Sequence, residues 1–332
     1  MPDFYFHGEM MTRTLVIETL KRLLVIVVVI TGTFLLIRSA PGDPAEFIAG
    51  EAASGDPAFI EQLRMQMGLD KPVIVQLGIY LRDVATLDFG MSYREGRPVL
   101  EIILERLPNT LILAGTAFVL ALVLGTFAGF IAAVFRGTWI DRVISLGSVL
   151  FFSSPYYWVA LLAIILFSAK LNWLPAGGTQ TIGADYTGFR SALDYIHHLI
   201  MPATASALFT MAIYARLVRA SMTDLANTLF VKAAHAKGMA PMRIWFRHVL
   251  RTSLLPITTM AGVQAGQLVA GTILTETVFA WPGIGRLMYD ALIARDYNVV
   301  IGVFIMTSLI VIFANLVVDL LYRYVDPRTR AA

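Results

Sequence analysis

The sequence has little charge and no cysteine. Only 15% of its 332 residues are charged and 57% are apolar, whereas a typical soluble domain carries about 25% charged residues. Too few polar side chains remain to cover a soluble body of this size. The lack of cysteine excludes disulfides, thiolate catalysis and cysteine-based zinc sites. We therefore expect a membrane-embedded chain rather than an apolar soluble enzyme.

Motifs of common enzyme classes are missing as well. No Gly-Lys pair occurs, which excludes a P-loop, and no Gly-x-Ser-x-Gly occurs, which excludes a nucleophile elbow. The adjacent histidines His197 and His198 suggest a metal, but neighbours on a helix point about 100° apart. We also expect no carboxylate one turn away on the same face. We predict an interfacial helix start there, with no metal, catalytic residue or cofactor in this chain.

Apolar runs predict six membrane-spanning helices. A span needs roughly 20 apolar residues. Five runs free of Asp, Glu, Lys and Arg meet or approach that length, namely 111–135, 143–169, 199–215, 252–275 and 297–318. A sixth, 23–37, has 15 uncharged residues flanked by basic side chains that can extend to the membrane surface. It could instead be a signal peptide, but an uncleaved span brings both termini to one side and is preferred.

The basic residues predict the orientation. With the N-terminus inside, the cytoplasmic pieces carry 15 Lys and Arg and the external pieces 11. Segment 38–110 contributes 7 of those 11 and is too long for its charge to count. Segments 1–22 and 323–332 are therefore predicted to be cytoplasmic, around a core at 111–322. Segment 38–110 is predicted to form an external subdomain with helices within 56–69 and 73–87.

Charged side chains are missing from the centres of all the predicted spans. We expect Glu276 at the outer end of the fifth span and Asp319 at the inner end of the sixth, both within reach of lipid headgroups. Asn315 and Asp319 could share a helix face, for packing or for a proton relay. An ion-coupled carrier should show several buried charges, so we expect the energy for transport to come from elsewhere.

Uncharged polar and small residues do occur within the spans. Ser153 and Ser154 precede a proline in the third span, and Gln264 and Gln267 lie on the fifth. Such groups must face protein or water rather than lipid, so they are candidates both for lining a translocation path and for helix packing. Small-residue spacings suited to close helix contact occur at Gly125-x-x-x-Gly129 and Gly262-x-x-x-Gly266.

The basic connection between spans four and five contains two predicted helices. Ala233, Ala234 and Ala236 favour a short helix that Gly238 ends in the left-handed conformation. Pro241 then starts a second helix, along which Arg243, Arg247 and Arg251 form one basic stripe with Ile244 and His248 beside it. Arginines that meet anionic lipid would explain the second helix. The small side chains of the first suit a protein cleft.

This connection resembles the "EAA" loop of ABC importer membrane subunits. The pattern A-A-x-x-x-G, followed by Ile and then Leu-Pro, carries the resemblance. Lys232 replaces the leading Glu, as is usual in the peptide-importer branch. The resemblance implies an ATPase-coupling loop over 223–251, continuing to Pro256. The residues it assigns are Lys232, Ala233, Ala234, Lys237, Gly238, Met239, Ile244, His248 and Pro256.

Other stretches resemble the dipeptide and oligopeptide permeases of the same family. They include RSAPGDP (38–44), MGLDKP (67–72), DFGMSYREGRPV (88–99), PNTLILA (108–114), LNWLPAGG (171–178) and LTETVFAWPGIGRLMYDALIARDYNVV (274–300). In the last of them Asn298 replaces an expected Pro. We expect little cost, because Pro at the start of a span is tolerated but not required.

The resemblance implies a type I importer permease of the bacterial inner membrane, surrounded by lipid and not by nucleic acid. Its partners would be a homologous second permease, two cytoplasmic ATPases that hold ATP and Mg²⁺, and an external solute-binding protein. Peptides are the expected substrate, with glutathione, nickel chelates and sugars as alternatives. A self-contained carrier or a membrane scaffold is a less favoured interpretation.

Overall fold

The computed structural model describes residues 24–35, 56–66, 70–265 and 272–325. The helices in these segments are α1 (Leu24–Leu35), α2 (Pro57–Gln66), α3 (Val73–Ala85), α4 (Val99–Val134), α5 (Trp139–Ser153), α6 (Tyr156–Ala163), α7 (Phe189–Ala226), α8 (Leu229–Ala236), α9 (Pro241–Ile244), α10 (Arg251–Ala265), α11 (Ile273–Val278), α12 (Ile284–Ile293) and α13 (Tyr297–Val325). Two π-helical stretches, Ile164–Lys170 and Trp245–Leu250, follow α6 and α9. In these segments the only β-type pairing is an isolated bridge between Met91 and Pro98.

Three described helices are long and apolar enough to cross a membrane: α4, α7 and the part of α13 up to Val318. Apart from residue 135, they contain the predicted spans 111–135, 199–215 and 297–318, so these three predictions are confirmed as membrane-length helices. α5, together with α6 and the π-helical stretch that follows it, gives a fourth span if this bent pair crosses the membrane as one unit. The described residues thus give three or four spans, and the count of six stays a prediction.

The third predicted span, 143–169, is not one straight helix. α5 and the α6 segment meet at an angle of 109°. Ser154 is extended, with φ −81° and ψ 140°, because the ring of Pro155 disfavours helical backbone in the residue before it. The proline also lacks the N–H that would continue the α5 hydrogen bonds. The run 143–169 therefore forms two helices joined by a bend at Pro155.

The first and fifth predicted spans are described in part. Of 23–37 the structure describes α1, which has 12 residues. Of 252–275 it describes α10 and the start of α11, while residues 266–271, including Gly266 and Gln267, lie outside the described part. The terminal segments 1–22 and 326–332 lie outside it as well. The placement of both termini in the cytoplasm stays a prediction.

The segment before the second span contains the two predicted helices, α2 and α3. α4 then begins at Val99, well before the apolar run at 111–135, and continues through Pro108 as one 36-residue helix. The described residues divide into two compact units. One comprises those up to Glu105 with Asp290–Ile312, and the other comprises Arg106–Tyr289 with those from Phe313 onward.

In the second unit, α4 and α7 pack at unusually short range. A Cβ added at Gly125 would lie 2.8 Å from the Met211 carbonyl oxygen, and one at Gly129 would lie 2.6 Å from the Val218 Cβ. The Gly-x-x-x-Gly spacing therefore marks a helix contact, as predicted. The opposite side of α4 exposes large apolar side chains, Val119, Val123 and Phe127. One face of α4 is thus built for backbone contact and the other for lipid.

Candidate coupling site

The short helix α8 ends as the sequence predicts. Gly238 has φ +75°, a conformation that costs an L-residue with a Cβ but not glycine. Its N–H donates to the His235 carbonyl at 2.9 Å, and the Met239 N–H donates to the Ala234 carbonyl at 3.3 Å. These are the two bonds of a Schellman ending. α9 follows directly, with Ala240 as N-cap and Pro241 as its first residue.

The two faces of α8 divide the predicted coupling residues. Val231 and Ala234 are buried at 4% and 8% exposure in a cluster of apolar side chains. Lys232, Ala233 and Lys237 are exposed. Ala234 thus packs against its own chain, so a larger side chain there would disturb the fold before it reached a partner. We therefore remove Ala234 from the docking surface that the sequence suggested.

The second helix of the connection is buried on one side. Ile244 and Val249 are each 1% exposed and belong to the same apolar cluster as Val231, and Met239 packs against it. The polar side chains of this helix are more exposed to solvent: His248 is half-buried, and the predicted arginine stripe, Arg243, Arg247 and Arg251, is exposed.

The backbone of this second helix departs from the prediction. Trp245–Leu250 is π-helical and not α-helical, so one extra residue is accommodated per turn within it. Pro256 lies inside α10 and is exposed; it does not begin that helix, which already starts at Arg251. The connection therefore runs into α10 without an interruption between Trp245 and Ala265.

The predicted path residues are not brought together by any contact in the described part of the chain. Ser153 is exposed, and Ser154 is half-buried at the α5–α6 bend with its hydroxyl donating to the Leu150 carbonyl at 2.7 Å. Gln264 is half-buried on α10. No hydrogen bond links these three side chains in the described residues, and their role in a path stays a prediction.

A cluster of three hydroxyl groups next to the bend was missed. The Tyr156 hydroxyl lies 2.6 Å from the Thr275 hydroxyl, which lies 2.8 Å from the Ser206 hydroxyl. These residues come from α6, α11 and α7. Each is unremarkable in sequence, and the residues are up to 119 positions apart. Only the fold reveals that the bend is tied to two other helices.

Glu276 is fully buried, which corrects the expectation that it reaches the headgroups. Its exposure is 0%. One carboxylate oxygen accepts hydrogen bonds from the hydroxyls of Thr110 and Thr272 at 2.8 and 2.9 Å, and the other accepts from the Arg286 N–H at 3.0 Å. The Thr110 hydroxyl in turn accepts from the Ile284 N–H. The carboxylate thus occupies the N-terminus of α12, where helix N–H groups favour an anion.

The residues around Glu276 belong to two stretches that the sequence analysis quoted for their resemblance. Asn109 donates to the Pro282 carbonyl at 3.0 Å and accepts from the Tyr195 hydroxyl at 2.9 Å. The indole of Trp281, which is fully buried, donates to the Asn109 carbonyl at 3.0 Å. The Pro-Asn-Thr and Trp-Pro-Gly-Ile-Gly stretches are therefore two halves of one hydrogen-bonded structure.

A second buried carboxylate, Asp141, holds α5 against α7. Asp141 is 4% exposed and makes a bidentate ion pair with Arg219, with one N–O distance of 2.9 Å. The Gly137 N–H donates to it as well, at 2.9 Å. One turn away along α7, the Arg216 guanidinium lies 4.5 Å from the centre of the Phe152 ring. Arg219 and Arg216 lie seven and ten residues before Ala226, where α7 ends.

The two histidines of the adjacent pair contact different groups of their own chain. His197 lies 3.0 Å from the Trp173 carbonyl oxygen. His198 contacts the Asp194 carboxylate at 3.5 Å, one turn earlier on α7, so the expectation of no carboxylate there was wrong. No group of three possible ligands occurs among the described residues; His198 is paired within its own helix and His197 contacts the loop that precedes it.

Two family profiles match nearly the whole sequence. The profile described as binding-protein-dependent transport system inner membrane component matches residues 121–331. The chain belongs to this family. The corresponding N-terminal profile of the family matches residues 11–114. The resemblance inferred from the coupling loop and the quoted stretches is therefore confirmed, and this transport component is embedded in a membrane.

Curated members of the family match over most of their length. A putative peptide transport system permease protein of Brucella melitensis is 36% identical over 97% of this chain and 99% of its own. The dipeptide transport system permease protein DppB of Alkalihalophilus pseudofirmus is 36% identical, covering 94% and 98%. The di/tripeptide transport system permease protein DppB of Pseudomonas aeruginosa is 38% identical, covering 90% and 93%.

A solved structure shares the fold. A chain in a structure of inward-facing conformations of the MetNI methionine ABC transporter aligns with a TM-score of 0.54 at 18% identity. The alignment covers 68% of this transport component and 96% of that chain. At this identity the likeness concerns the fold alone.

Proposed function

We propose that this chain is the permease subunit of an ATP-driven ABC importer of dipeptides or oligopeptides. With a homologous second permease it forms the translocation path, with six spans and both termini in the cytoplasm. Two cytoplasmic ATPases supply the energy and bind ATP and Mg²⁺. An external solute-binding protein delivers the substrate. The chain itself catalyses no bond chemistry.

The observation that carries this proposal is the exposed face of α8. The alanines and lysines of this face are exposed to solvent, while Val231 and Ala234 on the other face pack against the rest of the unit. α8 follows α7 after two residues, and the Asp141–Arg219 pair joins that end of α7 to α5. Movement of a docked ATPase thus reaches the membrane helices through α7. A contact with the same free energy in both ATPase states would not shift the equilibrium between them, so the docked contact must be stronger in one of the two states.

The choice of peptides rests on the relatives, which are named as peptide, dipeptide and di/tripeptide transport permeases. Glutathione, nickel chelates and sugars are the alternatives. A panel of these compounds, titrated against the solute-binding protein encoded with this chain, distinguishes them. Tight binding of a chelate or a sugar and none of peptides would contradict a peptide substrate.

The buried carboxylates do not favour a self-contained ion-coupled carrier. Glu276 accepts hydrogen bonds on both oxygens from its own chain, and Asp141 is paired with Arg219. A coupling carboxylate has to be open to the ion in at least one state. Both groups instead hold helices together, which is consistent with energy supplied by separate subunits.

The test of docking uses two variants at the exposed end of α8, Gly238→Asp and Ala236→Trp. We expect both to reach the membrane and to lose peptide uptake and the ATPase stimulation caused by loaded binding protein in proteoliposomes. Met242→Trp is the matched control, because Met242 is 52% exposed on the adjoining α9. Normal stimulation and uptake in both α8 variants would contradict the docking assignment.

A further inference from the structure

The bend between α5 and α6 leaves backbone groups without partners. In an unbroken helix the carbonyls of Phe151, Phe152 and Ser153 would accept hydrogen bonds from the N–H groups four residues later. Pro155 has no N–H, and the 109° bend turns the residues after it away from α5. Among the described residues, no hydrogen bond reaches these three carbonyl oxygens. We call them the open carbonyls.

The open carbonyls lie deep in an apolar run. Arg142 is the last charged residue before the run 143–169. At a rise of 1.5 Å per residue, Phe152 stands about 15 Å further along α5, which is about half the thickness of the hydrocarbon core. Unpaired backbone carbonyls are tolerated at that depth only against protein or water. Ser153 and Tyr157 beside them are exposed, so the described part of the chain does not cover this side of the bend.

A guanidinium extends toward the same end of α5. Arg216 lies 4.5 Å from the centre of the Phe152 ring, while Arg219, one turn further on α7, pairs with Asp141. The two arginines are about 4.5 Å apart along α7, but their partners are about 16 Å apart along α5. The two side chains therefore diverge. Arginines at the end of a membrane helix usually extend outward to the headgroups, whereas Arg216 extends inward to the bend.

A charge held at this depth needs water or a ligand. An arginine in the hydrocarbon core is costly unless it faces protein or a water-filled cavity. In the described residues no carboxylate pairs with Arg216. An exposed arginine alone would not indicate a ligand, but this one lies beside the open carbonyls. Both features require a polar, water-filled space on this side of the bend.

Resting on the function proposed above, we propose that the bend lines the translocation path and binds the charged ends of a passing peptide. The Arg216 guanidinium binds the peptide carboxylate, a pairing that is often bidentate. The open carbonyls accept hydrogen bonds from the peptide ammonium or, in longer peptides, from amide N–H groups. They stand at the C-terminal end of α5, where the helix dipole favours a cation. Broken membrane helices supply ion and substrate sites in this way in other transporters.

Burial of the bend against the second permease fits these features less well. A membrane helix satisfies its own backbone groups, so a partner helix would bring only side chains to the open carbonyls. Its packing would also seal Arg216 from water. Unpaired buried polar groups are costly, whereas water in a path satisfies them until a peptide replaces it.

The test of the lining uses the absence of cysteine from this chain, which lets a single introduced thiol report on its own surroundings. Ser153→Cys is assembled with its partner subunits in nanodiscs and treated with a charged methanethiosulfonate, and the mass of this chain gives the labelling. Val123→Cys is the matched control, because Val123 is 57% exposed on the lipid face of α4. We expect Ser153→Cys to react about tenfold faster or more, since the reagent attacks a thiolate, which needs water.

Two results would overturn the lining. Labelling of Ser153→Cys no faster than that of Val123→Cys would place the bend in lipid. No labelling of Ser153→Cys by the charged reagent or by a lipid-soluble maleimide would show that the second permease seals the bend.

Arg216→Gln tests the ligand. We expect the peptide imported per ATP hydrolysed in proteoliposomes to fall about three- to tenfold, because water weakens a charged hydrogen bond in an open path. Arg216→Lys should recover part of the loss. Arg142→Gln is the matched control, since Arg142 is an exposed arginine of α5 away from the bend. Phe152→Leu keeps the guanidinium and should have a smaller effect; a loss equal to that of Arg216→Gln would refute a role for the charge.

These outcomes are distinct from a failure of the proposed function. If the wild-type assembly imports no peptide while Ser153→Cys reacts with the charged reagent, the peptide substrate is refuted and the lining by the bend stands. If the wild-type assembly imports peptides and Arg216→Gln imports them equally well, the proposed function stands and the binding of the carboxylate by Arg216 is refuted.

Discussion

Replacing Glu276 by Ala should destabilise the protein more than the loss of any exposed carboxylate. The side chain is fully buried and accepts bonds from two hydroxyls and from the Arg286 N–H. Alanine leaves those donors without their acceptor and opens a small cavity. Each unmade buried hydrogen bond costs about 1–3 kcal/mol, and the groups relax in part. We therefore expect a loss of about 3–5 kcal/mol in the free energy of unfolding.

Glu276→Gln refines this prediction. The glutamine oxygen can still accept from the Thr110 and Thr272 hydroxyls, while its amide group faces the Arg286 N–H, so that two donors meet. We expect about half of the alanine effect, because two of the three bonds survive and the third is replaced by a repulsive contact between two donors. A result equal to wild type would show that the negative charge and the acceptor at the α12 N-terminus do not matter.

The assay is thermal unfolding of the purified protein in detergent, followed by tryptophan fluorescence. Trp281 is fully buried beside the same network and reports on its opening. Glu105→Ala is the control, because the Glu105 side chain is 62% exposed and pairs with the exposed Arg97, and such pairs contribute about 0–1 kcal/mol. If Glu276→Ala melted like Glu105→Ala, the reasoning from buried hydrogen bonds would be refuted.

Three further changes test other contacts. Asp141→Asn should lower the free energy of unfolding by about 2 kcal/mol. This is less than the cost of breaking a fully buried ion pair, because the Arg219 side chain is 36% exposed. Additive effects of Asp141→Asn and Arg219→Gln in a double-mutant cycle would show that the two side chains do not interact. Gly129→Leu should force α4 and α7 apart and cost about 3 kcal/mol or more, measured as a lower melting temperature; unchanged melting would refute the close contact. Asn298→Pro should be tolerated at the second position of α13. It should lower the free energy of unfolding by only about 1 kcal/mol, because the hydrogen bond from the Asn298 side chain to the Met91 carbonyl is lost. A much larger loss of stability would indicate a further role of Asn298.

Features that depend on a few neighbouring residues were predictable. Hydrophobic runs placed α4, α7 and α13, because the bilayer demands a length of apolar side chains that can be read along the chain. The end of α8 was predictable because glycine alone enters the left-handed region without cost, and the start of α9 because proline suits a first helical position. The family resemblance rested on the same local stretches.

The burial of Glu276 was not predictable, and neither was the orientation of Ala234. In sequence Glu276 stands at the end of an apolar run, where lipid headgroups are the natural surroundings. Its actual partners include Thr110, 166 positions away. Likewise, the pattern that identified Ala234 does not say which side of a short helix faces the core. The bend at Pro155 was visible as a break, but its angle was not.

The sequence by itself determined that this chain belongs in a membrane, where several of its helices lie, and which connection meets the ATPase in the function proposed here. These properties follow from hydropathy and backbone preference, which act over neighbouring residues. Only the tertiary structure decided which polar groups are paired. Asp141 meets Arg219 from 78 positions away, and Tyr156, Ser206 and Thr275 come from three helices. Such contacts depend on how whole helices pack, and packing is a property of the assembled chain rather than of any stretch within it.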